Sequence, residues 1–141
     1  MLVDYLLSID PGDSSGLAFF EFGVLTKALT LDFQSAFWEV QSARNKGFWI
    51  LCEKAHIRGH QKIAIDKIEK LKHKVRLINP DYTLSPVQWK GGLPKNVTKS
   101  RVLRLLSKKE IKAIKAGSTL DAFDAIGLGL VFFERCSRGL V

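Results

Sequence analysis

Leu6-Leu7-Ser8-Ile9-Asp10-Pro11-Gly12-Asp13-Ser14-Ser15-Gly16-Leu17-Ala18-Phe19-Phe20-Glu21-Phe22 is the stretch on which the fold turns. Leu6 to Asp10 has the apolar density of a short buried strand, and Pro11-Gly12 ends it. Asp13 to Gly16 continues the turn. Leu17 to Phe22 reads as a second strand, with Gly23 as a break, and Leu25 to Phe33 as a third with partial alternation. This spacing predicts an antiparallel meander of three strands at the front of the chain.

The flanking sequence changes period. Ser35 to Asn45 predicts a short helix with Ser35 as its N-cap. Phe48 to Glu53 is a continuous apolar run of the kind found in a fully buried strand. Residues 57–61 read as a polar loop. Ile63, Ile65, Ile68, Leu71, Val75 and Ile78 then approximate one face of a helix over Lys62 to Asn79, which Pro80-Asp81 stops. Tyr82 to Trp89 predicts a strand that tolerates Pro86 only at an edge or bulge. After a Gly91-to-Pro94 loop come a basic helix over Thr98 to Ser107 and a further turn or two over Lys108 to Ala116. Thr119 caps a last helix running to about Cys136. The predicted order is βββ-α-β-α-β-α-α, an α/β arrangement of a mixed sheet flanked by helices. It forms one domain over residues 1–141, without repeats, low-complexity tracts or a dividing linker.

A chain of 141 residues, 46% hydrophobic and 26% charged, is long enough to bury a core without staples. Cys52 and Cys136 are too few for a disulfide framework or a structural zinc site. No apolar run reaches the roughly 18 residues of a membrane span, and the start of the chain lacks the basic n-region of a signal peptide. A reducing, cytoplasmic setting is expected.

The net charge of +8 is strongly segregated. Residues 1–53 hold three Lys/Arg and seven Asp/Glu, residues 54–115 hold seventeen and four, and residues 116–141 hold two and three. The middle segment is therefore +13 and its flanks are acidic. That pattern favours a polyanionic partner, and a solvated basic face is the plainer alternative. An anionic membrane fits less well, because the basic segment has no clean apolar anchor face.

Four carboxylates occupy suggestive places. Asp10 ends the first strand and Glu53 ends the next long apolar strand. Asp121 and Asp124, spaced i, i+3, share one face of an otherwise apolar last helix. An acidic pair on the inner side of such a helix is costly unless something positive compensates it. Hard divalent cations take oxygen ligands, and a pair of them can activate water and stabilise a leaving oxygen in phosphodiester hydrolysis. Each acid also has an ordinary reading: Asp10 as a turn residue, Glu53 as an exposed strand end, Asp121 as a first-turn acid favoured by the helix dipole. Asp124, deeper in the apolar helix, has the weakest ordinary explanation. Asp66, Glu69 and Glu110 lie among lysines and read as surface ion pairs. Gly127 and Gly129 imply close approach of the last helix to the sheet or to a second subunit.

These residues together resemble the RuvC family of Holliday junction resolvases, in the RNase H-like superfamily. Ile9-Asp10-Pro11-Gly12 with Ser15-Gly16-Leu17-Ala18 looks like the family's first strand and hairpin. Ile50-Leu51-Cys52-Glu53-Lys54 looks like its strand ending in the second acid. Gln88-Trp89-Lys90 with Lys99-Ser100-Arg101-Val102 looks like its basic region, and Asp121-Ala122-Phe123-Asp124-Ala125 like its closing D-A-x-D-A helix. The resemblance implies an RNase H-like fold, a homodimer, and Mg²⁺- or Mn²⁺-dependent nicking with two ions per site and no nucleotide cofactor. It assigns Asp10, Glu53, Asp121 and Asp124 as metal-binding catalytic acids. Lys90 and Lys99 match basic positions near the cleaved strand, and His56 falls where the family places an aromatic that probes the junction centre. Arg101, Lys54 and Arg58 are further candidates for DNA contact, with Lys62 and Lys95 behind them. The compact chain and the Trp89-to-Lys95 stretch look more like phage-encoded relatives, which can cut forks and flaps as well as four-way junctions. A branched-DNA or RNA-processing nuclease of the same fold, and a non-enzymatic nucleic-acid-binding module, are the competing readings.

Overall fold

The computed structural model describes residues 3–54, 64–89 and 95–141. Its strands are β1 (Tyr5–Asp10), β2 (Ser14–Glu21), β3 (Val24–Asp32), β4 (Trp49–Glu53) and β5 (Tyr82–Leu84). Its helices are α1 (Phe33–Asn45), α2 (Ala64–Ile78), α3 (Pro86–Trp89), α4 (Lys95–Leu105), α5 (Lys108–Lys112) and α6 (Leu120–Ser137). The strands form one mixed sheet in the order β3-β2-β1-β4-β5. β1, β2 and β3 are the predicted antiparallel meander, while β4 runs parallel to β1 and β5 parallel to β4. Phe22 and Gly23, both at positive φ (52° and 79°), make the two-residue turn between β2 and β3.

Side-chain alternation along β1 splits the interior into two cores. Leu6 points into the layer closed by α4 and α6, where it meets Phe20, Leu51, Val102, Ile126 and Phe132. Leu7 and Ile9 point the other way, into the layer closed by α1 and the end of α2, with Ala36, Val40, Ile50 and Ile78. Burial of each such Leu, Ile or Phe contributes about 1.5–3 kcal/mol. Gly129 lets α6 lie directly on the sheet, since a Cβ there would collide with the Phe20 ring. At Gly127 a Cβ would stand 2.9 Å from Trp89 Cζ3, so both glycines serve close packing within the chain.

Three local expectations are corrected. The N-cap of α1 is Asp32, not Ser35: its carboxylate accepts the Ser35 N–H at 2.9 Å and the Ser35 hydroxyl at 2.9 Å. The Ser35 backbone and side-chain bonds hold the Asp32 carboxyl below its usual range. Residues 82–89 are not one strand. β5 ends at Leu84, and Ser85-Pro86-Val87-Gln88 opens the helical turn α3. Ser85 and Gln88 exchange the two bonds of a capping box, at 2.8 and 3.3 Å, with Pro86 in the first helical position, where its missing N–H costs nothing. Glu110 is not a surface ion pair. It closes a capping box with Ser107 and accepts the Leu25 N–H at 2.9 Å, tying α5 to β3. Among the tryptophans, Trp38 is 63% exposed beside Phe37, Trp49 stacks on Tyr82, and Trp89 is buried.

The segment after α5 also covers the sheet edge. Ala28 donates to Ala113 O and accepts from Lys115 N, an isolated parallel bridge on β3. No helix among the described residues is long and apolar enough to cross a membrane.

Candidate metal centre and nucleic-acid interface

The same alternation that sends Leu6 toward α6 sends Asp10, four residues on, to that face. In β4, Leu51 lies in the α6 layer and Glu53 shares its parity. The parallel register pairs Ile9 with Cys52, so one step further Asp10 and Glu53 stand at neighbouring strand ends. Both charges reach the Cys52 thiol. Burial first, then Asp10, then Glu53 push that thiol well above its ordinary value and keep it protonated.

The turn after β1 is fixed by Ser15. Its hydroxyl donates to Gly12 O at 2.8 Å and accepts the Gly12 N–H at 3.2 Å. Beyond that turn, Asp10 pairs across the ladder with Gly16. Gly16 is where α6 touches down. A Cβ there would lie 2.6 Å from the Ala122 nitrogen and nearer still to the Asp121 carbonyl. Only a glycine lets the first turn of α6 lie this close to β2.

Thr119 sets the helix direction. It caps α6 by accepting the Asp121 N–H, donates to Asp121 Oδ2 at 3.1 Å, and is held to β3 by its own N–H on Thr30 Oγ1 at 3.0 Å. Asp121 thus enters at the positive end of the helix dipole. Asp124 follows one turn later and is 1% exposed.

The result is a cluster. Asp10, Asp121 and Asp124 each offer a carboxylate oxygen, and these oxygens all lie within 4.8 Å of one another. The donor set is all hard oxygen, which suits Mg²⁺ or Mn²⁺. Glu53 stands beside this trio rather than within it: its Oε2 accepts the Trp89 indole N–H at 3.2 Å.

Among the described basic residues expected at DNA, Lys99 packs against the helix that carries Asp121 and Asp124. Its Nζ sits 5.0 Å over the ring of Phe123, which lies between Asp121 and Asp124 in α6. Arg101 is exposed on α4, and Lys54 is exposed directly after Glu53, its N–H bonded to Leu84 O at 2.8 Å. Lys90, His56, Arg58 and Lys62, and the side chain of Lys95, lie outside the described residues. On α2, Lys74 is engaged by Asp13 at 3.2 Å and by the Phe33 ring, and Lys72 by Glu69 at 3.5 Å. Sequence reasoning did not single out Gly16, Thr119 and Trp89 as parts of this centre. Thr119 carried a capping signal, but the other two act through contacts distant in sequence.

No protein-family model and no curated protein sequence matches the chain. Among solved structures it is similar to T. thermophilus RuvC in complex with Holliday junction substrate, with a TM-score of 0.66, 15% identity and 96% of each chain covered. The chain therefore has the RuvC-like, RNase H-like α/β fold that its motifs predicted.

Proposed function

We propose that this RuvC-fold chain is a divalent-metal-dependent, structure-selective endodeoxyribonuclease that resolves four-way DNA junctions by paired symmetric nicks. The observation that carries the reading is the meeting of Asp10, Asp121 and Asp124 within 4.8 Å, on a fold shared with a protein solved on such a junction. Each residue has a task set by its place. Asp10 is held by the rigid end of a central strand, and Asp121 and Asp124 by the docked start of α6. Glu53 lies alongside, on the neighbouring strand, to complete the ligand set. Mg²⁺ or Mn²⁺ bound there, two ions per site, supplies a water of lowered pKa and charge for the leaving oxygen.

Lys99 and Arg101 on α4, with Lys90, Lys54 and Arg58, neutralise phosphates and set the strand's register without reading sequence. His56 stacks on an unpaired base at the branch. Paired nicks on opposed strands need two such sites, so the working form is a homodimer of single-domain chains, acting in the cytoplasm where the DNA lies. No nucleotide is required.

The test is incubation with an end-labelled immobile four-way junction, with and without Mg²⁺, beside forks, flaps, RNA–DNA hybrids and plain duplex. Paired, symmetric, metal-dependent nicks on the junction are expected. Equal cutting of forks and flaps would move the reading to a general branched-DNA nuclease. Junction binding with no cutting in either metal would make the chain a binding module.

A further inference from the structure

We infer that Trp89 is a positioning residue that holds the Glu53 carboxylate in place for the metal centre; this rests on the reading above and deepens it. The indole is fixed on both sides. Trp89 is 8% exposed and belongs to the core cluster with Val102, Leu106, Phe123 and Ile126. The absence of a side chain at Gly127 makes room for it, and Thr98 and Val102 of α4 line the same space. Its Nε1–H emerges from that packing to donate to Glu53 Oε2 at 3.2 Å.

A buried indole N–H needs an acceptor, and here the acceptor is one of the four acids of the proposed centre. Glu is the longest of those acids and has one more rotatable bond than each Asp. Without a fixed partner its carboxylate would sample several orientations at the strand end. With the indole locked by α4 and α6, the carboxylate is aimed before any ion arrives. The capping box that opens α3 therefore has a purpose beyond the turn itself: it delivers Trp89 to this spot four residues after Ser85.

Outer partners of metal-ligating residues commonly matter 10–100-fold in metal affinity. Trp89→Phe keeps an aromatic ring in the core and removes the N–H. Mn²⁺ binding to the full chain without DNA, measured by calorimetry, should weaken by about tenfold in Trp89→Phe. Glu53→Gln should weaken it comparably, and the double variant should be no weaker than Glu53→Gln alone. A second measurement leaves Trp89 untouched. In metal-free protein, Glu53→Gln should shift the Trp89 indole N–H resonance, assigned by its loss in Trp89→Phe, and speed its exchange. Wild-type binding of Mn²⁺ that is matched by Trp89→Phe, with an indole resonance indifferent to Glu53→Gln, would overturn the positioning role and leave the metal centre standing. Additive losses in the double variant would overturn it too, since Trp89 would then act apart from Glu53. A wild-type chain that binds no Mn²⁺ would remove the centre and the positioning role with it.

Discussion

Replacing Gly16 with alanine separates the proposed centre from its surroundings. The new Cβ would lie 2.6 Å from the Ala122 nitrogen, where ordinary van der Waals contact begins at 3.4 Å, and it would press harder still on the Asp121 carbonyl. The obstructing atoms are backbone, so no side chain can swing aside. β2 cannot yield easily either, because Gly16 is laddered to Asp10 on one side and Thr30 on the other. The start of α6 must therefore retreat by roughly 1 Å or more, carrying Asp121 and Asp124 away from Asp10. Overpacking of this kind costs about 1–3 kcal/mol, a fall of roughly 4–12 °C in Tm for a chain of this size. A misplacement of about 1 Å in a reacting constellation can cost on the order of 10²-fold in rate. Junction cleavage under single-turnover conditions in saturating Mg²⁺ should thus fall about 100-fold at temperatures where circular dichroism shows the variant folded. Cleavage within twofold of wild type, in a variant of unchanged Tm, would refute the claim that Gly16 sets the spacing between strand and helix.

Other outcomes follow from the same geometry. Asp10→Asn should lower cleavage by more than about 100-fold, the upper end for losing a mere outer partner, while gel-shift affinity for the junction stays within about twofold, because α4 is untouched. Lys99→Ala should reduce the slope of log affinity against log salt by about 0.9, one phosphate's worth; an unchanged slope would mean that Lys99 touches no phosphate. Partial burial raises the Glu110 pKa, but the N–H bonds from Leu25 and Ser107 outweigh it and hold the carboxyl below its ordinary value. Its stabilising effect is therefore complete above the unfolded value of about 4.3 and is lost as pH falls through the folded pKa. The Tm advantage of wild type over Glu110→Gln should shrink on acidification from pH 7 to pH 3, and a gap that does not change with pH would contradict that linkage. Ser107→Ala should cost about 1 kcal/mol, read by urea unfolding, through loss of the α5 cap.

The sequence disclosed these features unevenly, for physical reasons. Leu6 to Asp10 was legible because a buried central strand writes its apolar run directly into the chain, and the turn residues Pro11 and Gly12 mark its end. Asp124 stood out because a carboxylate deep in an apolar helix has few ordinary explanations. The stretch after Leu84 reads as strand from local pattern, because Tyr82, Thr83 and Leu84 favour one and Pro86 fits a strand only as a defect. The pattern Ser85-Pro86-Val87-Gln88 carried the opposite message, a cap with proline in its permitted place. Glu110 was hidden by its neighbours: a lysine-rich setting suggests solvent pairing, and only the tertiary fold brings the Leu25 amide to it. Gly16 against Asp121 and Trp89 against Glu53 were illegible from local pattern, since each joins elements far apart in the chain.

The distance between Gly16 and Asp121 has a temporal meaning. More than a hundred residues separate the strand that supplies Asp10 from the helix that supplies Asp121 and Asp124. While the polypeptide is still leaving the ribosome, β1 and β2 can pair, but the acid trio does not exist until α6 has emerged and seated itself on Gly16. If the chain cuts DNA as proposed, it is born inert, and its competence arrives only when α6 docks on the sheet.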